Sequence, residues 1–188
     1  MTVRIAPLEA PYTEQVATQL CSMMPTGVSP IALFRTFATN LSMAQAMGEW
    51  GRYELSRTLS ISRRHREIVI DRTCAGCGCE YEWGVHVAFF AEKASLTAAQ
   101  VTSLTYGGAD DACWVDKQDR LVILAVDQLQ RHSVIDDALW GRLRGTFSES
   151  QLLDLTMLCG WYHAISFTAR SAGVPLEEWA PTFESVRT

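Results

Sequence analysis

The 188-residue chain has little that a membrane, secreted or nucleic-acid-binding protein would need. Its longest aliphatic stretch, Leu121 to Val126, is far too short to span a bilayer. The opening residues, MTVRIAPLEAPYTE, hold no apolar run of the signal-peptide kind. A cytoplasmic, reducing location is therefore expected, and the six cysteines read as thiols, ligands or redox groups rather than a disulfide framework. Basic charge is also short: 16 Lys and Arg face 21 Asp and Glu, giving a net charge of -5 and a pI near 5.4. That balance argues against a nucleic-acid backbone or an anionic membrane as the main partner. The one basic cluster, Ser62-Arg63-Arg64-His65-Arg66, reads as the solvated opening of a helix.

Strand signals are missing as well. No apolar–polar alternation of useful length occurs, and Pro and Gly act mainly as punctuation between helical patterns. No phosphate-binding glycine loop, dinucleotide fingerprint or Ser-His-Asp arrangement appears, so no cofactor is expected.

Helical segments fill the chain. Ser29-Pro30 opens one through Phe37, Leu41 to Leu59 carries a stripe at Met43, Met47, Trp50 and Leu55, and Ser62 to about Cys74 repeats apolar residues at Ile68, Val69 and Ile70. Tyr81 to Ala94 is apolar on most sides, Thr97 caps the next helix, and Asp119 to His132, Ile135 to Leu143 and Ser148 to Ala172 complete the set. Ser148 and Gln151 have capping-box spacing. With 48% hydrophobic residues the chain suffices for one sizeable core. It reads as a single all-α domain, residues 1–188, of eight to ten helices. The Gly107-Gly108-Ala109-Asp110-Asp111 stretch would divide it into similar lobes at about 1–106 and 112–188, the second a degenerate repeat without the chemistry of the first.

The chemistry concentrates in one place. Cys79, Glu82 and His86 fall at i, i+3 and i+7, one face of a helix that begins just after Gly76-Cys77-Gly78. A thiol at a helix start feels the positive end of the dipole, which favours the thiolate. Glu82 or His86 could relay its proton. Glu67, on the preceding helix with eleven residues between it and Cys79, supplies a further carboxylate. Glu82 is expected to work as an acid/base group facing a small, mostly apolar pocket shared with Glu67 and His86. Cys77, two residues from Cys79, is a candidate resolving thiol, and Cys74-Ala75-Gly76-Cys77 is a second candidate pair.

Blander readings stand beside these. Cys21, Cys74 and Cys159 read as small buried hydrophobes, and His163 as a packing residue. Trp83, Phe89, Phe90, Trp161 and Tyr162 read as core or subunit interface. Zinc held by Cys74, Cys77, Cys79 and His86 is disfavoured by the tight spacing, so no metal is expected.

Arg66-Glu67 with its aliphatic run, Cys79-Glu80-Tyr81-Glu82-Trp83-Gly84-Val85-His86 and the Ala94-Ser95-Leu96-Thr97 turn resemble the carboxymuconolactone decarboxylase and AhpD-like alkylhydroperoxidase family. The resemblance is specific over about Arg64 to Val101. It implies an AhpD-like helical bundle, self-association as a trimer or dimer, and a site in which Glu67 and His86 relay protons to a redox thiol. The family's peroxidase pattern places a second cysteine where this chain has Glu82. The implied activity is thiol-dependent reduction of a hydroperoxide, with Cys79 reactive. Cofactor-free acid/base chemistry on a small carboxylated lactone, or a non-catalytic scaffold, are the alternatives.

Overall fold

A computed structural model describes residues 2–187, and within them the chain is helical with no strand. The nine α-helices of the described residues are α1 (Glu14–Met23), α2 (Ala32–Phe37), α3 (Leu41–Glu54), α4 (Arg63–Gly76), α5 (Glu80–Phe90), α6 (Ala98–Tyr106), α7 (Lys117–His132), α8 (Asp137–Arg144) and α9 (Glu149–Ala172). Short 3-10 turns follow at Glu92–Ala94 and Glu184–Val186. None of these helices is long and apolar enough to cross a membrane.

Side-chain caps fix several helix starts where the sequence places them. Ser62 accepts the His65 N–H at 3.1 Å, satisfying a donor that has no intrahelical partner. Thr97 and Gln100 close both halves of a capping box at 3.2 and 3.1 Å. Ser148 and Gln151 form the same reciprocal pair at the head of α9.

The chain divides into two compact units. One runs to Leu59 and includes Thr168–Glu178; the other comprises Ser60–Phe167 and the segment from Trp179 onward. These boundaries do not follow the lobes expected at 1–106 and 112–188. The Gly107–Asp111 loop lies inside the second unit, because α6 and α7 on either side of it both pack on α4.

In the first unit α1, α2 and α3 pack on one another. Gln19 on α1 donates to the Ala44 carbonyl at 3.0 Å, and the Ala32 N–H donates to Glu177 at 2.6 Å. Cys21, expected in a core, is exposed on the outer side of the short amphipathic α1.

The second unit is organised around α4, which packs on α5, α6 and α7. Ile68, Val69, Ile70 and Cys74 are completely buried, and His65, Arg66, Glu67 and Asp71 are buried with them. Of the basic cluster at its start, Ser62 and Arg63 are exposed as expected, whereas Arg64 is half-buried and His65 and Arg66 are buried. Arg64 donates to Asp119 through Nε and Nη2 at 2.9 and 2.8 Å and to the carbonyls of Ala94 and Ser95. His65 Nε2 lies 3.4 Å from the other Asp119 oxygen. Burial opposes ionisation of Asp119, but His65 and Arg64 outweigh it and lower its pKa. Arg72 holds Asp127 of α7 with two bonds while donating to Leu104 and Gly107, so it also satisfies carbonyls at the end of α6.

The segment after residue 179 closes over α5. The Phe183 N–H donates to Glu80 at 2.7 Å, its ring lies 5.0 Å from that of Trp83, and Tyr106 donates to its carbonyl. Gly84 makes this possible, since a Cβ there would stand 2.5 Å from the Pro181 carbonyl oxygen. Gly84→Ala should push that segment off α5 and destabilise the protein by about 1–3 kcal/mol, the usual scale of overpacking. A thermal melt should show a drop of several degrees, and an unchanged Tm would mean that the contact is dispensable.

Candidate active site

The site begins with the way α4 ends. Cys77 caps the helix, Gly78 adopts a left-handed φ of 64°, and two hydrogen bonds close the reversal: Gly78 N–H to Ala75 at 2.9 Å and Cys79 N–H to Cys74 at 2.8 Å. This paired-bond end uses a glycine where other residues would be strained. It turns the chain directly into α5, with Cys79 as the N-cap. Because α5 then packs on α4, residues at similar distances from the turn meet. Glu67 before the turn meets His86 after it.

Their contact is a hydrogen bond between His86 Nδ1 and Glu67 Oε2 at 2.8 Å, with both side chains buried. The second Glu67 oxygen accepts from Arg66 Nε at 2.6 Å, and the Arg66 guanidinium lies over the Phe90 ring. On the other side of the imidazole, Tyr162 Oη on α9 is 3.0 Å from Nε2 and Glu82 Oε1 is 3.6 Å away. The latter is an ion-pair distance rather than a hydrogen bond. Phe90 stands against the ring at 5.3 Å, whereas Phe89 turns away to Trp179.

Burial alone would disfavour the imidazolium, yet the charge and hydrogen bond of Glu67, reinforced by Glu82, raise the His86 pKa to about 10. His86 is thus a stored cation that donates through Nδ1 to Glu67 and through Nε2 to Tyr162. Burial, followed by the charges of Glu82 and Glu67, pushes the Tyr162 phenol well up, so it stays neutral.

The expected residues are placed as follows. Glu67, Glu82 and His86 come together in one buried cluster, and Cys79 begins the helix that carries two of them. Cys79 itself is 1% exposed. Cys77 is partly exposed at the cap, while Cys74 and Cys159 are buried. Cys159 accepts from Thr73 in the core, and the half-buried His163 stacks on the exposed Phe167. No group of three or more His, Cys, Asp and Glu side chains among the described residues is gathered for a metal ion.

Three participants were not singled out from the sequence. Arg66 holds Glu67. Tyr162, assigned to core or interface, is indeed buried but also touches His86. Asp71 lies one turn after Glu67, is 1% exposed, and has no hydrogen-bond partner on either oxygen; Glu82 Oε2 is likewise unpaired. Burial, with the Glu67 charge adding to it, raises the Asp71 pKa well above its ordinary value. A signal existed: an aspartate in the aliphatic run Ile68-Val69-Ile70, at i+4 from a candidate relay residue.

No protein-family model matches the chain, and no curated protein matches it by sequence. Its fold is nonetheless found in solved structures. It aligns with the apo debrominase Bmp8 over 100% of both chains, at 13% identity and a TM-score of 0.80. An uncharacterized peroxidase-related protein from Silicibacter sp. TM1040 gives a TM-score of 0.79 at 14% identity, covering 96% of this chain and 93% of that one. An alkylhydroperoxidase AhpD core protein from Ralstonia eutropha JMP134 gives 0.76 at 12% identity, covering 93% of each. The chain has the AhpD-like helical fold.

Two titrations should report on the cluster. With its pKa raised to about 10, His86 contributes stability that is complete below its unfolded value near 6.5 and lost as pH rises through about 10. Its ring resonances should therefore hold their imidazolium positions from about pH 6 to 9 in an NMR titration; a midpoint near 6.5 would show that the pair is not charged. Asp71 has the same sign: its raised pKa favours folding at low pH and weakens it as pH climbs above the unfolded value near 3.9. Asp71→Asn should thus raise Tm more at about pH 8 than at about pH 4.5, with about 2–4 °C for each kcal/mol relieved. Equal effects at the two pH values would mean that Asp71 is ionised throughout.

Proposed function

We propose that the chain is a thiol-dependent hydroperoxide reductase in which Cys79 is the reactive thiol. The observation that carries this reading is a buried cluster in which His86 meets Glu67, Glu82 and Tyr162, with Cys79 as the N-cap of the helix that carries Glu82 and His86. The helix start favours a thiolate at Cys79. That thiolate attacks the outer oxygen of the hydroperoxide, the O–O bond breaks, and the alkoxide leaves as an alcohol with a proton from the relay. Sulfenic acid remains on Cys79. His86 suits the donor role because it already holds its proton at neutral pH, and Glu67 keeps the ring oriented. The two peroxidase-related structural neighbours agree with this assignment at the level of fold.

The debrominase neighbour, known also as a cysteine-to-alanine variant in complex with 2,3,4-tribromopyrrole, widens the substrates to be tried to halogenated rings. A second reading rests on the three buried carboxyl oxygens of Asp71 and Glu82 that have no partner. So many acid/base groups suit cofactor-free proton transfer on a small carboxylated lactone, with Cys79 incidental.

Single-residue variants separate these readings. Cys79→Ser should abolish hydroperoxide turnover with a dithiol reductant, whereas intact lactone turnover in that variant would establish the acid/base enzyme. Glu82→Gln should lower turnover by about a hundredfold or more under either reading, the scale of a lost general acid or base. Glu82→Cys places a second thiol one turn from Cys79 and should let that position form a disulfide with Cys79 after peroxide treatment, read by mass spectrometry. Wild-type protein inert to hydroperoxides, halopyrroles and lactones alike would leave only the scaffold.

A further inference from the structure

The relay leaves Cys74 unused, although it is the cysteine most closely tied to Cys79. In the reversal that ends α4, Cys74 and Cys79 are joined by the paired hydrogen bond that spans more of the chain, Cys79 N–H to the Cys74 carbonyl at 2.8 Å. That motif characteristically sets these two side chains against each other. Both are buried, at 0% and 1% exposed. Cys77, by contrast, is the cap residue itself and is partly exposed. Electrostatics agree: burial raises the Cys74 thiol most, followed by the charges of Glu82 and Cys79, so these groups lie within reach of one sulfur.

The geometry points to Cys74 as the thiol that resolves Cys79, closing a Cys74–Cys79 disulfide across the end of α4. The inference rests on the hydroperoxide-reductase reading. Once the peroxide has oxidised Cys79 to the sulfenic acid, the Cys74 sulfur attacks the Cys79 sulfur and the S–O bond breaks. The hydroxyl leaves as water with the Cys74 proton, and a disulfide forms. An external dithiol then reduces that bond and departs as its own disulfide, returning both cysteines to thiols. This supplies the second thiol that the Glu82 position lacks.

The surroundings also set the pace. Besides Glu82 and Cys79 on α5, Asp71 on α4 raises the Cys74 thiol, and the Ser166 hydroxyl on α9 opposes them with a weak bond to its sulfur at 3.8 Å. Thiolate at Cys74 is therefore scarce at neutral pH. Resolution should be slower than oxidation and should speed up by about tenfold per pH unit as thiolate becomes available.

Limited hydrogen peroxide treatment of the full chain, followed by alkylation, trypsin and mass spectrometry, tests this. One peptide, Thr73 to Lys93, holds Cys74, Cys77 and Cys79. In the oxidised wild type it should lose two hydrogens and be alkylated only at Cys77, after passing through a state that dimedone traps on Cys79. Cys77→Ser should form the same disulfide at the wild-type rate. Cys74→Ala, or Cys74→Ser if alanine disturbs the core, should hold Cys79 as the dimedone adduct and drive it on to sulfinic acid. Dithiol-dependent turnover should fall by about tenfold or more once the intramolecular partner is gone. Alkylation at Cys74 in the oxidised wild type, or a disulfide that survives Cys74→Ala and vanishes in Cys77→Ser, overturns the assignment to Cys74 while leaving a reactive Cys79. No dimedone adduct and no disulfide in the wild type would instead remove the reductase reading itself, and this inference with it.

Discussion

A helix as charged as α4 can be buried only if its ionic groups find partners. An unpaired charge in a core costs several kcal/mol, and removing one member of a buried pair typically costs about 3–5 kcal/mol. Around α4 this demand selects the neighbours. Asp119 of α7 answers Arg64 and His65, Asp127 of α7 answers Arg72, and His86 of α5 answers Glu67. The aliphatic residues between them, Ile68 to Ile70, contribute the apolar burial. Register among α4, α5 and α7 is thereby specified by charge as well as by shape.

The candidate site is a by-product of the same requirement. Glu67 and His86 hold α4 to α5, and their pairing fixes an imidazolium inside the protein. Asp71 is the exception to the rule of pairing. It meets burial by taking up a proton, not by finding a cation. A stored cation, a neutral phenol and a neutral carboxylic acid thus lie together, each with a proton that it holds at neutral pH. That is a proton-donating environment, suited to stabilising a leaving oxygen or a developing carbanion.

One local motif joins the structural and chemical arguments. The left-handed Gly78 ends α4, aims α5 back along it, and sets Cys79 at a helix start beside Cys74. Where the family pattern that the sequence resembles has a second cysteine, this chain has Glu82, so the proposed thiol cycle draws its partner from elsewhere in the turn. The fold is shared with proteins described as a debrominase and as peroxidase-related. Its chemistry is decided by which side chains stand at these few positions.

The sequence by itself determined the helical class and the placing of Cys79, Glu82 and His86 on one helix. Caps at Thr97 and Ser148 are local, since a side chain three residues from its backbone donor needs no tertiary partner, and each was legible. The spacing of Cys79, Glu82 and His86 on one helical face was legible for the same reason. Tertiary structure decided what lies across from that face. Tyr162 comes to His86 from α9, and nothing in Leu158-Cys159-Gly160-Trp161-Tyr162 distinguishes a phenol that meets His86 from any other core aromatic. The basic cluster at Arg63–Arg66 read as solvated because charge is usually exposed; that holds for Arg63, while Asp119 of α7 and Glu67 draw Arg64, His65 and Arg66 inward. Cys74 looked like core and is core; its position beside Cys79 follows from the left-handed turn at Gly78, a backbone choice that the residue permits but does not dictate.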